Sequence, residues 1–160
     1  MTSTKTPQLT LVYLLRPDLI CLAMKKRGFG AGKWNGCGGK VEAGETIQEA
    51  ACREVAEEIV VTVDPSALES VAVIDFIFAD GTQLEVHAFF VRQWQGEPAE
   101  TEEMRPEWFP YEQIPYQSMR SDDIHWLPRA LAGECLRGRV EFAANGEEIV
   151  AMEWNEVSSL

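Results

Sequence analysis

Apolar residues recur along this chain with two different periods. Residues 9–15 and 19–24 are almost unbroken apolar runs, too short for helices, and Pro17-Asp18 between them marks a turn, so both read as strands. Residues 71–78 and 83–94 flank Asp80-Gly81, and Leu84, Val86, Ala88 and Phe90 recur at every second position, which predicts a hairpin. Residues 139–143 and 149–154 flank Asn145-Gly146 and predict another. A loop rich in proline and glutamate, residues 96–105, leads into a short strand around Trp108. Between these segments the period becomes helical. At about 100° per residue, Ile47, Ala50, Ala51, Val55 and Ile59 fall on one stripe. Thr46 followed by Glu49 forms a capping box that starts this helix. A second helix is expected to run from a Ser121 cap toward Gly133, with Pro128 tolerated only near its first turn or at a kink. The order of elements predicts an α+β fold, without repeats or low-complexity segments.

The glutamates of the first helix change the picture. Glu54 and Glu58 lie within about 40° of the apolar stripe on the same angular count, not on the opposite face where a solvated Glu-rich helix would carry them. Burying an ionised carboxylate is costly unless a cation or hydrogen-bond donors compensate it. Only Arg53 is near in sequence, so a bound metal is the natural partner. Carboxylates without a cysteine or histidine cluster favour a hard ion, Mg²⁺ or Mn²⁺, which completes its shell with waters and phosphates.

Composition sets outer bounds. With 160 residues, 46% of them hydrophobic, the chain is expected to form one domain spanning residues 1–160. Cys21, Cys37, Cys52 and Cys135 show no CxxC pairing and read as reduced thiols of a cytoplasmic protein. The early apolar run is stopped by Arg16, Pro17 and Asp18, so neither a secretory signal nor a membrane segment is expected. A net charge of −12 argues against binding a nucleic-acid polymer. A small anion carried in by a metal remains compatible. Lys25, Lys26, Arg27 and Lys33 gather around Gly28, Gly30 and Gly32, in a spacing that is neither a P-loop nor a dinucleotide fingerprint.

At this point the residues resemble a known family. Gly39, Glu45, Arg53, Glu54, Val55, Glu57, Glu58 and Val61 fit, position by position, the signature of the Nudix hydrolases: glycine, five residues, glutamate, seven residues, Arg-Glu, an aliphatic, any residue, Glu-Glu, any residue, glycine, aliphatic. Val60 stands where the family has its final glycine, so the helix exit is expected to differ, for instance by passing straight into an extended segment that ends at Asp64-Pro65. Residues 24–36, 103–109 and 121–128 look like one subgroup, the oxidised-purine nucleoside triphosphate diphosphatases.

The resemblance implies a mixed β-sheet sandwiched between α-helices. It also implies metal-assisted attack of water on phosphorus, giving a nucleoside monophosphate and pyrophosphate. It assigns Arg53, Glu54, Glu57 and Glu58 to catalysis, and Glu54, Glu57, Glu58, Glu103 and the Gly38 carbonyl to the metal, with one unspecified glutamate as general base. Taken alone, Glu103 reads as an ordinary member of an acidic loop.

For the nucleotide the resemblance points to Thr10, Lys25, Phe29, Asn35, Phe76, Leu84, Met104, Asp122 and Asp123. Asn35 both donates and accepts, which suits a purine edge. The adjacent carboxylates at Asp122 and Asp123 push one pKa upward and leave a protonated oxygen, a pair that would tolerate more than one purine tautomer; helix capping is the plainer alternative. Where close relatives stack a tryptophan on the base, this chain has Arg120. Its guanidinium is expected to stack on the base instead, or to reach a phosphate or a carboxylate. Cys37 is a second departure near the pocket. Two other readings stay open: a Nudix enzyme for ADP-ribose, dinucleoside polyphosphates or ordinary nucleotides, and a non-catalytic binding module. A monomer is expected, a dimer remaining an alternative.

Overall fold

The computed structural model describes residues 6–28 and 30–160. Phe29, one of the expected nucleotide contacts, lies outside the described residues. Among the described residues, eight strands form two sheets. In the larger, the order is β1 (Gln8–Leu14), β5 (Gln83–Val91), β4 (Glu69–Ile77), β7 (Cys135–Phe142) and β8 (Ile149–Val157). Its β1–β5 and β4–β7 pairs are parallel and its β4–β5 and β7–β8 pairs antiparallel, so the sheet is mixed. The smaller sheet is antiparallel, in the order β3 (Trp34–Asn35), β2 (Leu19–Lys25) and β6 (Met104–Pro110). The turn at Pro17-Asp18 is therefore also a crossing from one sheet to the other.

Strand alternation divides the interior in two. On β1, Tyr13, followed by Leu15 just past the strand end, faces one core with Val86, Ala88 and Phe90, while Val12 and Leu14 face a second with Phe89 and Val91. Helix α1 (Ile47–Ile59) fills the second core through Ala51, Val55 and Ile59. Helix α2 (Asp123–Leu131) fills the first through Trp126, Leu127 and Ala130. Each strand between them must be apolar on both faces, which is why residues 9–15 read as a continuous run. The sandwich implied by the sequence is the observed architecture.

The capping box at Thr46 forms as expected: Thr46 Oγ1 accepts the Glu49 N–H at 3.0 Å and Glu49 Oε1 accepts the Thr46 N–H at 2.9 Å. The far end of α1 corrects the expected exit. Val60 does not extend; it takes the left-handed conformation itself, with φ 63° and ψ 36°, the one non-glycine among the described residues with positive φ. Its neighbours explain why. Ile59 and Val61 are both buried in the second core, and Thr62 pairs with Gln95. The Ile59 carbonyl accepts the Ala99 N–H at 2.9 Å. Only a left-handed residue between them turns the chain sharply enough to meet all of these. The valine side chain is left 58% exposed.

A second correction concerns α2. Ser121 does not cap it; its hydroxyl donates to the Glu147 carbonyl in the β7–β8 turn, and Asp122 occupies the N-cap position. Pro128 lies inside the helix. The carbonyl it deprives of a partner belongs to Ile124, a solvent-exposed residue. Among the described residues, no helix is long and apolar enough to cross a membrane, and all four cysteines are free thiols.

A left-handed β-branched residue costs about 1–2 kcal/mol relative to glycine in the same conformation, part of which glycine returns through its more flexible unfolded chain. Val60→Gly should therefore stabilise the protein by about 1 kcal/mol, raising the thermal midpoint by about 2–4 °C. A lowered midpoint in a thermal melt would refute the strain.

Candidate active site

The glycine segment before α1 is built by close approach. A Cβ on Gly38 would fall 1.6 Å from the Thr10 carbonyl oxygen, and one on Gly39 would fall 2.5 Å from Glu54 Oε1. Thr10 ties this segment to β1, its N–H donating to the Gly39 carbonyl at 2.9 Å and its hydroxyl reaching the same oxygen at 3.4 Å. The segment thus passes between β1 and the acidic edge of α1.

That edge is organised by Arg53. Its Nε and Nη2 form a fork on Glu45 at 2.6 and 3.0 Å, Nη1 donates to Glu54 at 2.9 Å and Glu57 at 3.3 Å, and Nη2 also meets the Lys40 carbonyl at 3.1 Å. These hydrogen bonds hold the Glu45 carboxyl below the usual carboxylate range. Glu58 is held differently. Only 4% exposed, it accepts the Gly38 N–H at 2.7 Å. Burial pushes its carboxyl up to about 8; the Gly38 bond opposes this, while the charges of Glu54 and Glu103 add to it. Burial raises Glu54 too, with Arg53 opposing.

Burial of Glu58 among like charges fits a hard divalent cation, and the donor set is all oxygen. The carboxylates are not, however, already converged: among the described residues no three acidic, histidine or cysteine side chains gather as a ready cation cage. Glu57 is exposed and turned to Arg53, and Glu103 pairs with Arg27 at 3.8 Å. Those two would have to swing inward to join Glu54 and Glu58.

Beside this edge opens a cleft of about 200 Å³. Nine of the ten residues expected at the nucleotide line it: Thr10, Lys25, Asn35, Phe76, Leu84, Met104, Arg120, Asp122 and Asp123. Gly38 and Gly39 line it as well, so the cleft borders the carboxylate edge directly. Sequence reasoning missed Leu9, Leu11, Phe78, Val86 and Lys33. The alternation of Leu9 and Leu11 with Tyr13 was the available signal for two of them. Cys37, expected near the pocket, instead faces the second core beneath α1.

Three features set the polar chemistry of the cleft. Asn35 Oδ1 accepts the Gly36 N–H at 2.8 Å and the Tyr13 hydroxyl at 3.3 Å, which leaves its amide NH₂ to the cleft. Asp122 and Asp123 are each 1% exposed, and Asp122 Oδ2 accepts the Trp126 indole N–H at 3.1 Å. Burial pushes Asp123 well above the usual range, with the Asp122 charge adding to this and Arg120 opposing; burial raises Asp122 as well, with Arg120 and the Trp126 indole opposing. Arg120 takes the carboxylate option of those left open. Its Nε lies 3.6 Å from Asp122 Oδ1, and its guanidinium sits over Phe76 at 5.4 Å and Phe142 at 5.2 Å. The far wall is braced by the β7–β8 turn, where Glu147 pairs with Lys33 at 2.7 Å.

Comparison with known proteins agrees with this geometry. Residues 5–130 match the NUDIX domain. The chain is 47% identical over 153 residues to the oxidized purine nucleoside triphosphate hydrolase of Danio rerio, covering 95% of this chain and 96% of that protein. It is 44% identical over 151 residues to the Mus musculus protein of the same name, covering 94% and 95%. Its fold superimposes on the MutT protein of Bacillus halodurans with a TM-score of 0.79, at 24% identity, over 93% of this chain and 97% of the other. With the signature glutamates on one helix edge, the glycine segment packed against them and a domain match over most of its length, this chain belongs to the Nudix family.

Proposed function

We propose that this protein hydrolyses oxidised purine nucleoside triphosphates to the nucleoside monophosphate and pyrophosphate, with Mg²⁺ or alternatively Mn²⁺, and so clears damaged nucleotides from the precursor pool. One observation carries the reading: a single cleft runs from a buried hydrogen-bonding end, Asn35 with Asp122 and Asp123, to Gly38 and Gly39 at the carboxylate edge. A purine at the first end directs its phosphates toward the second. The names of the zebrafish and mouse relatives support the same substrate class. Action in the cytoplasm as a single-domain monomer belongs to this reading.

In this reading Glu54 and Glu58 hold the cation, Glu57, Glu103 and the Gly38 carbonyl complete its protein ligands, and Lys25 meets the phosphates. The cation, when bound, supplies charge neutralisation on phosphate oxygens and acidifies the attacking water. Arg53 is a positioning residue: its fork fixes Glu45 against α1 while its other nitrogen holds Glu54 and Glu57. A glutamate of the cluster takes the proton from water. Phe76, Leu84 and Met104 supply apolar walls for the base, and Thr10 keeps the glycine segment in place. Phe29 is assigned to the base by resemblance alone.

The deciding assay incubates the purified protein and Mg²⁺ with oxidised and ordinary purine triphosphates, pyrimidine triphosphates, ADP-ribose and diadenosine tetraphosphate, and identifies the products. Preference for an oxidised purine triphosphate with pyrophosphate release is expected; preference for ADP-ribose, with AMP and ribose phosphate as products, would overturn the substrate class. Glu58→Gln keeps the acceptor for the Gly38 N–H but loses the charge, so turnover should fall at least about a hundred-fold. Its thermal midpoint should hold or rise, because burial already favours the uncharged form of Glu58 and the amide stays uncharged at every pH. Near-native turnover would remove Glu58 from the site. Arg53→Lys keeps a charge without the fork; kcat should fall roughly ten-fold or more and the Mg²⁺ needed for half-maximal rate should rise. An unchanged metal requirement would limit Arg53 to holding the helix.

A further inference from the structure

Asp122 and Asp123 are adjacent in sequence and both buried, yet their surroundings differ. Asp122 has the Arg120 guanidinium 3.6 Å from Oδ1 and the Trp126 indole N–H on Oδ2. Both neighbours favour a charged carboxylate there. The Arg120 charge and the Trp126 indole also act on Asp123, but among the described residues the ion-pair contact of Arg120 is to Asp122; Asp123 Oδ2, like Asp122 Oδ1, is buried without a hydrogen-bond donor. The other ionisable groups facing the pair are Tyr13 from β1 and Tyr116 from the turn before α2, and burial raises both, Tyr116 to about 12. Neither carries a charge near neutrality. Two buried carboxyls this close hold one proton between them.

We propose that Arg120 fixes this shared proton on Asp123, so that the cleft offers one acceptor at Asp122 and one donor at Asp123 in a set order and thereby selects between purines with a 6-oxo and a 6-amino edge. The inference rests on the purine reading given above. A 6-oxopurine presents a donor at N1 and an acceptor at O6; a 6-aminopurine presents them in the reverse order. An aspartate pair whose proton moves freely accepts both. A pair pinned by a guanidinium accepts one, and mispairing leaves a buried polar group unmet.

The pin is rigid because Arg120 is held from several sides. Its guanidinium lies over the faces of Phe76 on β4 and Phe142 on β7, which fix the height of the charge above Asp122. Asn35 adds to the set order: with Oδ1 committed to Gly36 and Tyr13, it can only donate into the cleft. No element of the polar end is then left to reverse itself for the wrong base. Arg120 is on this account a specificity-determining residue for the base edge, with no part in the hydrolytic step.

The test compares kcat/KM for 6-oxo and 6-amino purine nucleoside triphosphates, each with its 8-oxo form, in the wild type, Arg120→Met and Arg120→Lys. The wild type should favour one edge by more than about ten-fold, Arg120→Met should bring the ratio close to one, and Arg120→Lys should restore most of it. A wild-type ratio near one, or a ratio that survives Arg120→Met while both rates fall together, overturns the proposal. Carboxyl ¹³C NMR of the labelled wild-type protein decides the proton's place without any variant. Asp123 protonated and Asp122 ionised near neutral pH supports the inference; the reverse, or a proton shared equally, refutes it. If no purine triphosphate is turned over, the substrate reading fails by itself, and the NMR result still decides whether Arg120 pins the pair.

Discussion

A single hydrogen bond, from the Gly38 amide to the Glu58 carboxyl, joins the glycine segment to the carboxylate edge of α1. Glu58 lies next to Ile59 at the buried end of α1, so its side chain cannot leave without displacing the helix from the second core. Gly38 lies so close to the Thr10 carbonyl that any side chain there would open the segment. The bond therefore fixes helix to strand through a residue whose charge is costly to bury. Arg53 satisfies the neighbouring carboxylates Glu45, Glu54 and Glu57, while Glu58 meets the Gly38 N–H and burial raises its carboxyl to about 8.

β1 carries the same constraint into the cleft. Val12 and Leu14 anchor it to the α1 side and Tyr13 to the α2 side. Tyr13 packs edge-on against Trp126, centroids 6.1 Å apart, and places its hydroxyl on Asn35. Trp126 in turn donates to Asp122. One aromatic contact thus couples the residue that orients Asn35 to the residue that orients Asp122. Both groups at the polar end are set by the packing of a core, not by a loop.

Much of this was legible in the sequence, for definite reasons. The angular position of Glu54 and Glu58 beside the apolar stripe needs only helical geometry, and the Thr46–Glu49 box needs only local chemistry. Two hairpins also followed, since the aspartate-glycine and asparagine-glycine turns each formed one, whereas the parallel β1–β5 and β4–β7 pairings join segments far apart in the chain. What failed depended on partners remote in the chain. Ser121 is a competent cap, but the Glu147 carbonyl competes for its hydroxyl. Val60 is forced left-handed by ties to Gln95 and Ala99 on either side of it, which no local propensity reveals. Arg120 had three open fates, and the choice was made by Phe142, a residue from the last hairpin.

That last hairpin has a separate bearing on how such an enzyme can change. The family match ends at residue 130, and every glutamate of the edge, together with Asn35, Asp122 and Asp123, precedes that point. Yet the wall that holds Arg120 and Lys33 is made by Phe142 and Glu147, beyond it. The groups of the polar end thus lie inside the family match, while part of the wall that holds Arg120 and Lys33 comes from outside it. Substitutions at Phe142 or Glu147 would therefore move Arg120 or Lys33 without touching the carboxylate edge of α1, and under the proposed function this hairpin would shift base choice more than phosphorus chemistry.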